Sequence, residues 1–333
     1  MTHSTTTDLA IFVVAAAFAL VTSAVLVARL ERLAAALRLP EAALGLIVAL
    51  AADSPEITSA ITASAGGQKS VGLGVVFGSN VFNLAALLGL GALIAGRVDF
   101  HPRVVLLEGI PALWVAAIAV ICVTSGAGAP LGLGLILAVV VPYVVVSTVP
   151  TRLLRGVGLP TGAQRWLRSA VLEEEAELAD AGIERHASFA DAALALLCLC
   201  VVVVASAFME RSASDLGKHA HLSSLLVGGV ILAGVTSLPN AVGAVYLSLR
   251  RRGAAVLSEA MNSNMINVLV GLFLPGIFVG LAAASSSAVL VGTWYSALTL
   301  VCLLAAYACR GLGRKQGLAI VAAYGAFVAL VIR

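Results

Sequence analysis

Two short stretches of the chain set oxygen-bearing side chains around a proline: Asp53-Ser54-Pro55-Glu56 and Ser237-Leu238-Pro239-Asn240. A serine and an asparagine four residues apart follow each of them, Ser79 with Asn83 and Ser263 with Asn267. On a helix that spacing puts both side chains on one face. Carboxylate, hydroxyl and amide oxygens are ligands for hard cations such as Na⁺ and Ca²⁺. Each proline lies inside a long apolar run, where it removes a backbone hydrogen bond, breaks the helix and exposes carbonyl oxygens. Broken helices in the middle of a membrane are where secondary transporters hold substrate and coupling ions. Pro55 and Pro239, Ser79 and Ser263, and Asn83 and Asn267 are each 184 residues apart, so the two constellations read as copies of one arrangement.

The acids sharpen this. Asp53 and Glu56 are three residues apart at the first break, hence on one face if the turn stays helical. A charge at the bilayer centre is expensive and is by default a functional group. Glu56, which directly follows the proline, and Asp53 are the expected metal ligands. Asp53 has an alternative role as the cap of the half-helix that begins there. Glu259 lies four residues before Ser263 and eight before Asn267, on the same face; its alternative is an interfacial pairing with Arg250–Arg252. Glu108 and Asp191 fall near the ends of apolar runs, where snorkelling is the default.

The elements that must position these groups are membrane helices. Of 333 residues 61% are hydrophobic and 11% charged, with mean hydropathy +1.07. Soluble domains carry about 25% charged residues, so this composition cannot cover a water-exposed surface. Blocks of about twenty apolar residues match the length needed to cross a bilayer. They predict ten spans, at about 9–30, 41–65, 70–95, 103–125, 131–149, 190–209, 222–249, 254–281, 287–309 and 316–332. Sixteen of the 20 basic residues then fall in alternate loops, leaving Lys69, Arg211, Lys218 and Arg333 on the other side. That asymmetry places the sixteen in the cytoplasm and both termini outside, in a plasma (inner) membrane. The first span reads as a retained helix, because residues 1–8 lack a basic region and no small-residue cleavage site follows.

Five spans (residues 1–149) precede a charged loop at 150–189 and five (190–333) follow it. Halves with an odd number of spans sit in opposite orientation, so the expected architecture is all-α: ten transmembrane helices as two inverted five-helix repeats, with broken helices at the midplane. The loop carries Glu173, Glu174, Glu175 and Glu177, which point around a helix and read as a solvated cytoplasmic linker.

Other functions are excluded or set aside on the same residues. No basic tail suits nucleic acid, and no glycine-rich nucleotide motif suggests coupling to ATP. There is no His-Glu-x-x-His, and His219 and His221 fall in an outside loop, against an intramembrane enzyme. Cys122, Cys198, Cys200, Cys302 and Cys309 lack ligand spacing and read as buried free thiols. The expected partners are the lipid bilayer and inorganic cations, with no cofactor.

The two constellations resemble the α-repeats of the sodium/calcium exchanger, or cation/Ca²⁺ antiporter, superfamily, whose signature is Gly-Thr-Ser-x-Pro-Glu followed by Gly-Asn-x-x-Gly-Ser-Asn. The likeness covers about 45–85 and 229–269, and the five-plus-five layout extends it to the whole chain. Thr236, Ser237, Leu238 and Pro239 match the first element; Gly78, Ser79, Asn80 and Asn83 match the second. The resemblance implies a cation site built from Glu56, Asp53, Ser79, Asn83, Thr236, Ser237, Asn240, Ser263, Asn267 and Glu259. It also implies secondary antiport, with the spans at about 9–30 and 190–209 sliding against the motif-bearing core. Na⁺ or H⁺ would exchange for Ca²⁺ or another cation; H⁺/Na⁺ antiport without Ca²⁺, or a non-transporting homologue, are the alternatives.

The chain also departs from that pattern. Asn240 stands where the family has its second Glu, and Ala52 and Asp53 replace Thr-Ser in the first repeat. Asn267 stands where some members carry Asp, and Glu259 where an Asn is usual, opposite Val75. The expectation is that the acids have moved rather than vanished.

Overall fold

The computed structural model describes residues 5–36, 46, 49–148, 162, 166, 169, 188–283 and 285–332. The expected linker at 150–189, with its glutamate run, lies almost wholly outside the described residues. The chain is mostly helical, and eight of its helices are long and apolar enough to cross a membrane. Helix α1 covers Thr5–Ala36. Residues 49–52 are helical up to a turn at Asp53, and α2 (Ser54–Ala65) continues beyond it. Then come α3 (Lys69–Ala95), α4 (Pro102–Ser125) and α5 (Ala129–Thr148). The second half runs through α6 (Phe189–His219), the short α7 (Ser224–Thr236), α8 (Leu238–Leu249), α9 (Gly253–Val279), α10 (Ser286–Cys309) and α11 (Arg314–Ile332). α1 and α6 run past their expected ends at 30 and 209, because the hydrogen-bonded helix continues through the polar residues that close each apolar block.

Among the described residues, the one exception to an all-helical chain is a two-stranded antiparallel ladder. In it β1 (Arg97–Asp99) pairs with β2 (Gly311–Gly313), with Val98 opposite Leu312. It joins the α3–α4 connection to the α10–α11 connection.

The core sits around α3, which is buried over nearly its whole length, while α1, α5 and α11 turn most of their surface outward. Glycines make this possible. A Cβ on Gly78 would stand 2.2 Å from the carbonyl oxygen of Gly229, and one on Gly74 would stand 2.9 Å from the Gly229 nitrogen. Backbone therefore packs on backbone where α3 crosses α7, the small-residue contact that holds membrane helices together without a hydrophobic driving force. α1 and α6 pack along each other, tied by an Arg29–Asp191 ion pair at 2.8 Å. Asp191 also completes a capping box with Ser188, so it anchors the start of α6 instead of snorkelling alone.

All five cysteines are free; Cys122, Cys198 and Cys302 are buried, but Cys200 and Cys309 are exposed. Their place in an apolar block does not bury them, because the outward face of a membrane helix is apolar too.

Candidate cation site

The two helix breaks are built alike. At the first, Asp53 N–H donates to Ala49 O (2.9 Å) and Ile57 N–H to Asp53 O (2.9 Å). At the second, Ser237 N–H donates to Ala233 O (3.1 Å) and Ala241 N–H to Ser237 O (3.2 Å). Every one of these positions is displaced by 184 residues from its counterpart. Pro55 and Pro239 each fall at the second residue of a new helix, where the missing N–H costs nothing. Hydroxyls bond carbonyls near the breaks: Ser54 Oγ donates at 2.6 Å to Ala51 O, which Pro55 leaves without an N–H, and Thr236 Oγ1 donates to Leu232 O of its own helix at 2.9 Å. The partner helices α3 and α9 are also alike. Each switches to a π-helical stretch immediately after or at its asparagine, over Leu84–Leu90 and Asn267–Phe273. Such wide turns concentrate at functional sites.

These four elements converge on one buried cluster. Asp53, Ser79, Asn80, Asn83, Ser237, Ser263 and Asn264 have no exposed surface, and Glu56, Thr236, Asn240 and Asn267 have 1%. Asn80 Nδ2 donates to Asn264 O at 3.1 Å, and Asn264 Nδ2 returns to Asn80 O at 3.2 Å. Asn83 Nδ2 donates to Asn264 Oδ1 (3.3 Å) while Asn267 Nδ2 donates to Asn80 Oδ1 (3.3 Å). Shifting the numbers by 184 and exchanging the halves turns each bond of these pairs into its partner.

The outer contacts join exchanged positions as well, with the donor in the second half both times. Ser237 Oγ donates to Glu56 Oε1, and at the matching place Asn240 Nδ2 donates to Asp53 Oδ1 at 2.7 Å. Asn240 Nδ2 also reaches Asn83 Oδ1 at 3.4 Å. Ser263 faces Asp53, Asn267 faces Glu56, and the two acids touch each other.

Six oxygens of this cluster make no hydrogen bond of full geometry: Asp53 Oδ2, Glu56 Oε2, Ser79 Oγ, Ser263 Oγ, Asn240 Oδ1 and Asn267 Oδ1. Buried polar atoms are almost always paired, so several orphaned acceptors around two adjoining carboxylates mark a place for positive charge. No ion pair among the described residues reaches Asp53 or Glu56. Nor do three His, Cys, Asp or Glu side chains gather anywhere among the described residues. The donor set is therefore two carboxylates with neutral hydroxyl and amide oxygens, which suits alkali and alkaline-earth ions and not thiolate- or imidazole-seeking metals.

The structure thus brings together Asp53, Glu56, Ser79, Asn83, Ser237, Asn240, Ser263 and Asn267. Thr236 is buried beside them, but its hydroxyl is bonded to its own helix. Glu259 is half-buried on α9, and the hydrogen bonds among Asn80, Asn83, Asn264 and Asn267 do not include it. The capping alternative for Asp53 is not realised: it stands at the cap position of α2 but makes no side-chain cap bond. Asn80 and Asn264, the centre of the network, were outside the expected ligand set, although their 184-residue separation marks them. Tyr295 of α10, fully buried with its ring 5.8 Å from Phe77 and its hydroxyl facing Asn80, had no signal in the sequence. Glu108 does not snorkel; it is fully buried, accepting from Tyr143 Oη at 2.6 Å.

Fold and composition together define a helical membrane protein. The fold is shared with solved exchangers. One is the sodium-calcium exchanger NCX_Mj soaked with 100 mM Na⁺ and 10 mM Sr²⁺ (TM-score 0.63, 19% identity, 98% of this chain and 99% of that one). Another is the H⁺/Ca²⁺ exchanger CAX (TM-score 0.71, 15% identity, 98% and 85%). The sodium/calcium exchanger protein family model matches residues 7–164 and 191–333, so the chain belongs to that family and is an integral membrane protein. The sodium/calcium exchanger MaX1 of Methanosarcina acetivorans is 28% identical over 141 residues, which span 41% of this chain and 39% of that relative.

Proposed function

We propose that this protein is a secondary cation antiporter that exchanges Na⁺ or H⁺ for Ca²⁺ or a similar cation at the cluster around Asp53 and Glu56. The observation that carries the proposal is the set of orphaned buried oxygens around two touching carboxylates, with no protein cation among the described residues to neutralise them. Two unneutralised carboxylates cost several kcal/mol each when buried; a bound cation removes that cost and uses the orphaned acceptors. Family membership and the exchange activities for which NCX_Mj, CAX and MaX1 are named point the same way.

The layout that suits this reading is ten crossings in two inverted halves, residues 1–149 and 190–333, joined by a linker. Two contacts favour counting the broken helices as crossings. Arg29 pairs with Asp191; between them lie α3, α4, α5 and the broken stretch that ends with α2. Only if that stretch crosses is the number even and the pair on one side. β1 and β2 pair across α4, α5, α6, α9, α10 and the broken α7–α8, and the same parity supports counting α7–α8 as a crossing. The distribution of basic residues then puts these contacts in the cytoplasm. Alternating access follows if α1 and α6, packed mainly on each other, move as a unit over the core that holds the cluster.

Purified protein in proteoliposomes tests this. With a Na⁺ gradient, a pH gradient or none, ⁴⁵Ca²⁺ uptake should depend on one of the gradients, and Glu56→Gln should lower it about 100-fold. Gradient-independent leakage, or wild-type uptake in the variant, counts against the proposal. A pH-sensitive dye in the same vesicles separates H⁺ from Na⁺ as the exchanged ion.

A further inference from the structure

The contact between Asp53 and Asn240 occupies the place that the contact between Glu56 and Ser237 occupies on the other side of the cluster. Each contact joins the two halves of the chain, each holds one carboxylate and one neutral partner, and in both the carboxylate comes from the first half. We infer that Asp53 supplies across this contact the acid that the second half lacks. The site is then specified by one carboxylate at each of its two cross-half contacts, whichever half provides it. The matching cargo is one divalent or two monovalent hard cations. This rests on the cation-antiporter reading above.

Several observations carry it. Asp53 stands where an aspartate would ordinarily cap α2, yet it makes no cap bond. Its carboxylate instead has Oδ1 on Asn240, while Oδ2 makes no hydrogen bond of full geometry in a fully buried cluster. A side chain that forgoes a stabilising cap in favour of a buried, half-satisfied charge is placed for a ligand. Asn240 is the complement that this arrangement requires. Asp53 already touches Glu56, so an acid at 240 would be a third carboxylate in one buried cluster, whereas the amide donates to Asp53 and toward Asn83 and still offers its Oδ1. The residues at 53 and 240 are thus one unit: the acid can sit on either, but not on both.

The test moves the acid across the contact in the full-length protein in detergent, with Ca²⁺ and Na⁺ binding read by calorimetry. Asp53→Asn, which keeps the shape and removes the charge, should weaken Ca²⁺ binding by about 100-fold. The exchange Asp53→Asn with Asn240→Asp puts the same two groups back in reversed order and should recover binding to within about tenfold of the original. Asp53→Ser with Asn240→Glu, which makes this contact identical to its counterpart, should recover it as well. If Asp53→Asn binds like the original protein, or if neither exchange improves on it, the inference is overturned. If Glu56→Gln loses the cation while Asp53→Asn does not, the cation site stands and only the transposition fails. If neither variant differs from the original, both fail.

Discussion

The stretches at 53–56 and 237–240 occupy matching places at the two helix breaks, with the same backbone hydrogen bonds, yet the first carries both carboxylates and the second none. The asparagine lattice between them is indifferent to this: its bonds come in pairs that exchange with the halves of the chain. Backbone and scaffold are duplicated, charge is not. A second contrast lies one turn further out. Gly74 and Gly78 let α3 touch the backbone of α7, whereas their counterparts 184 residues on are Ser258 and Asn262. Asn262 Oδ1 lies 2.8 Å from Tyr143 Oη, and its Nδ2 bonds Ser258 Oγ at 3.0 Å. The first half closes its core helix by contact; the second ties its own with polar side chains. Shape and electrostatics can therefore diverge between halves while the node that joins them stays common.

The largest expected effect comes from the packing half of that contrast. Gly78→Val would drive side-chain atoms into the Gly229 backbone and should cost about 3 kcal/mol or more. The protein should then fail to elute as a monodisperse peak or melt far earlier, while Asn262→Ala should cost only about 1–2 kcal/mol. Equal melting temperatures for the two would erase the contrast.

Next comes charge. Glu56→Gln should lower exchange in proteoliposomes by about 100-fold, whereas Asn240→Ala, which removes only neutral oxygens and an amide donor, should lower it about tenfold. The reverse order would mean that the first half is not the charged one in function.

The lattice should respond evenly. Asn80→Ala and Asn264→Ala each remove matching cross-half bonds and should each cost about 2 kcal/mol, with melting points that agree closely. A large disparity would show that the exchange of halves does not extend to energetics. Smallest of all is Thr236→Ala, which copies Ala52 into the second half. Because this hydroxyl is spent on its own helix, transport rate and cation affinity should stay within about threefold, a change under 1 kcal/mol.

Much of the site was legible because its signals are local. Proline in an apolar run, serine and asparagine at helical spacing, and a constant offset between copies need no tertiary knowledge. Asn80 and Asn264 share that offset but show their role only through bonds to each other's backbone, which no spacing encodes. Asp53 read equally well as cap or ligand, since both roles want an aspartate there; only the position of Asn240 separates them. Glu108 looked like a span-end residue because distance along the chain says nothing about which helix covers it. Tyr143 of the next helix bonds it, and Tyr143 in turn meets Asn262 from the other half of the chain.

By itself the sequence determined the solvent, the helical class, the duplication and the chemical type of the site. Hydropathy, proline and residue spacing act along the chain and survive without its partners. Only the tertiary structure decided which duplicated residues meet. It placed both carboxylates at separate contacts with the second half, and it set α3 against α7 closely enough to require glycine. Those outcomes depend on how two distant segments approach each other, and that approach is fixed by packing and by buried hydrogen bonds between residues some 180 positions apart.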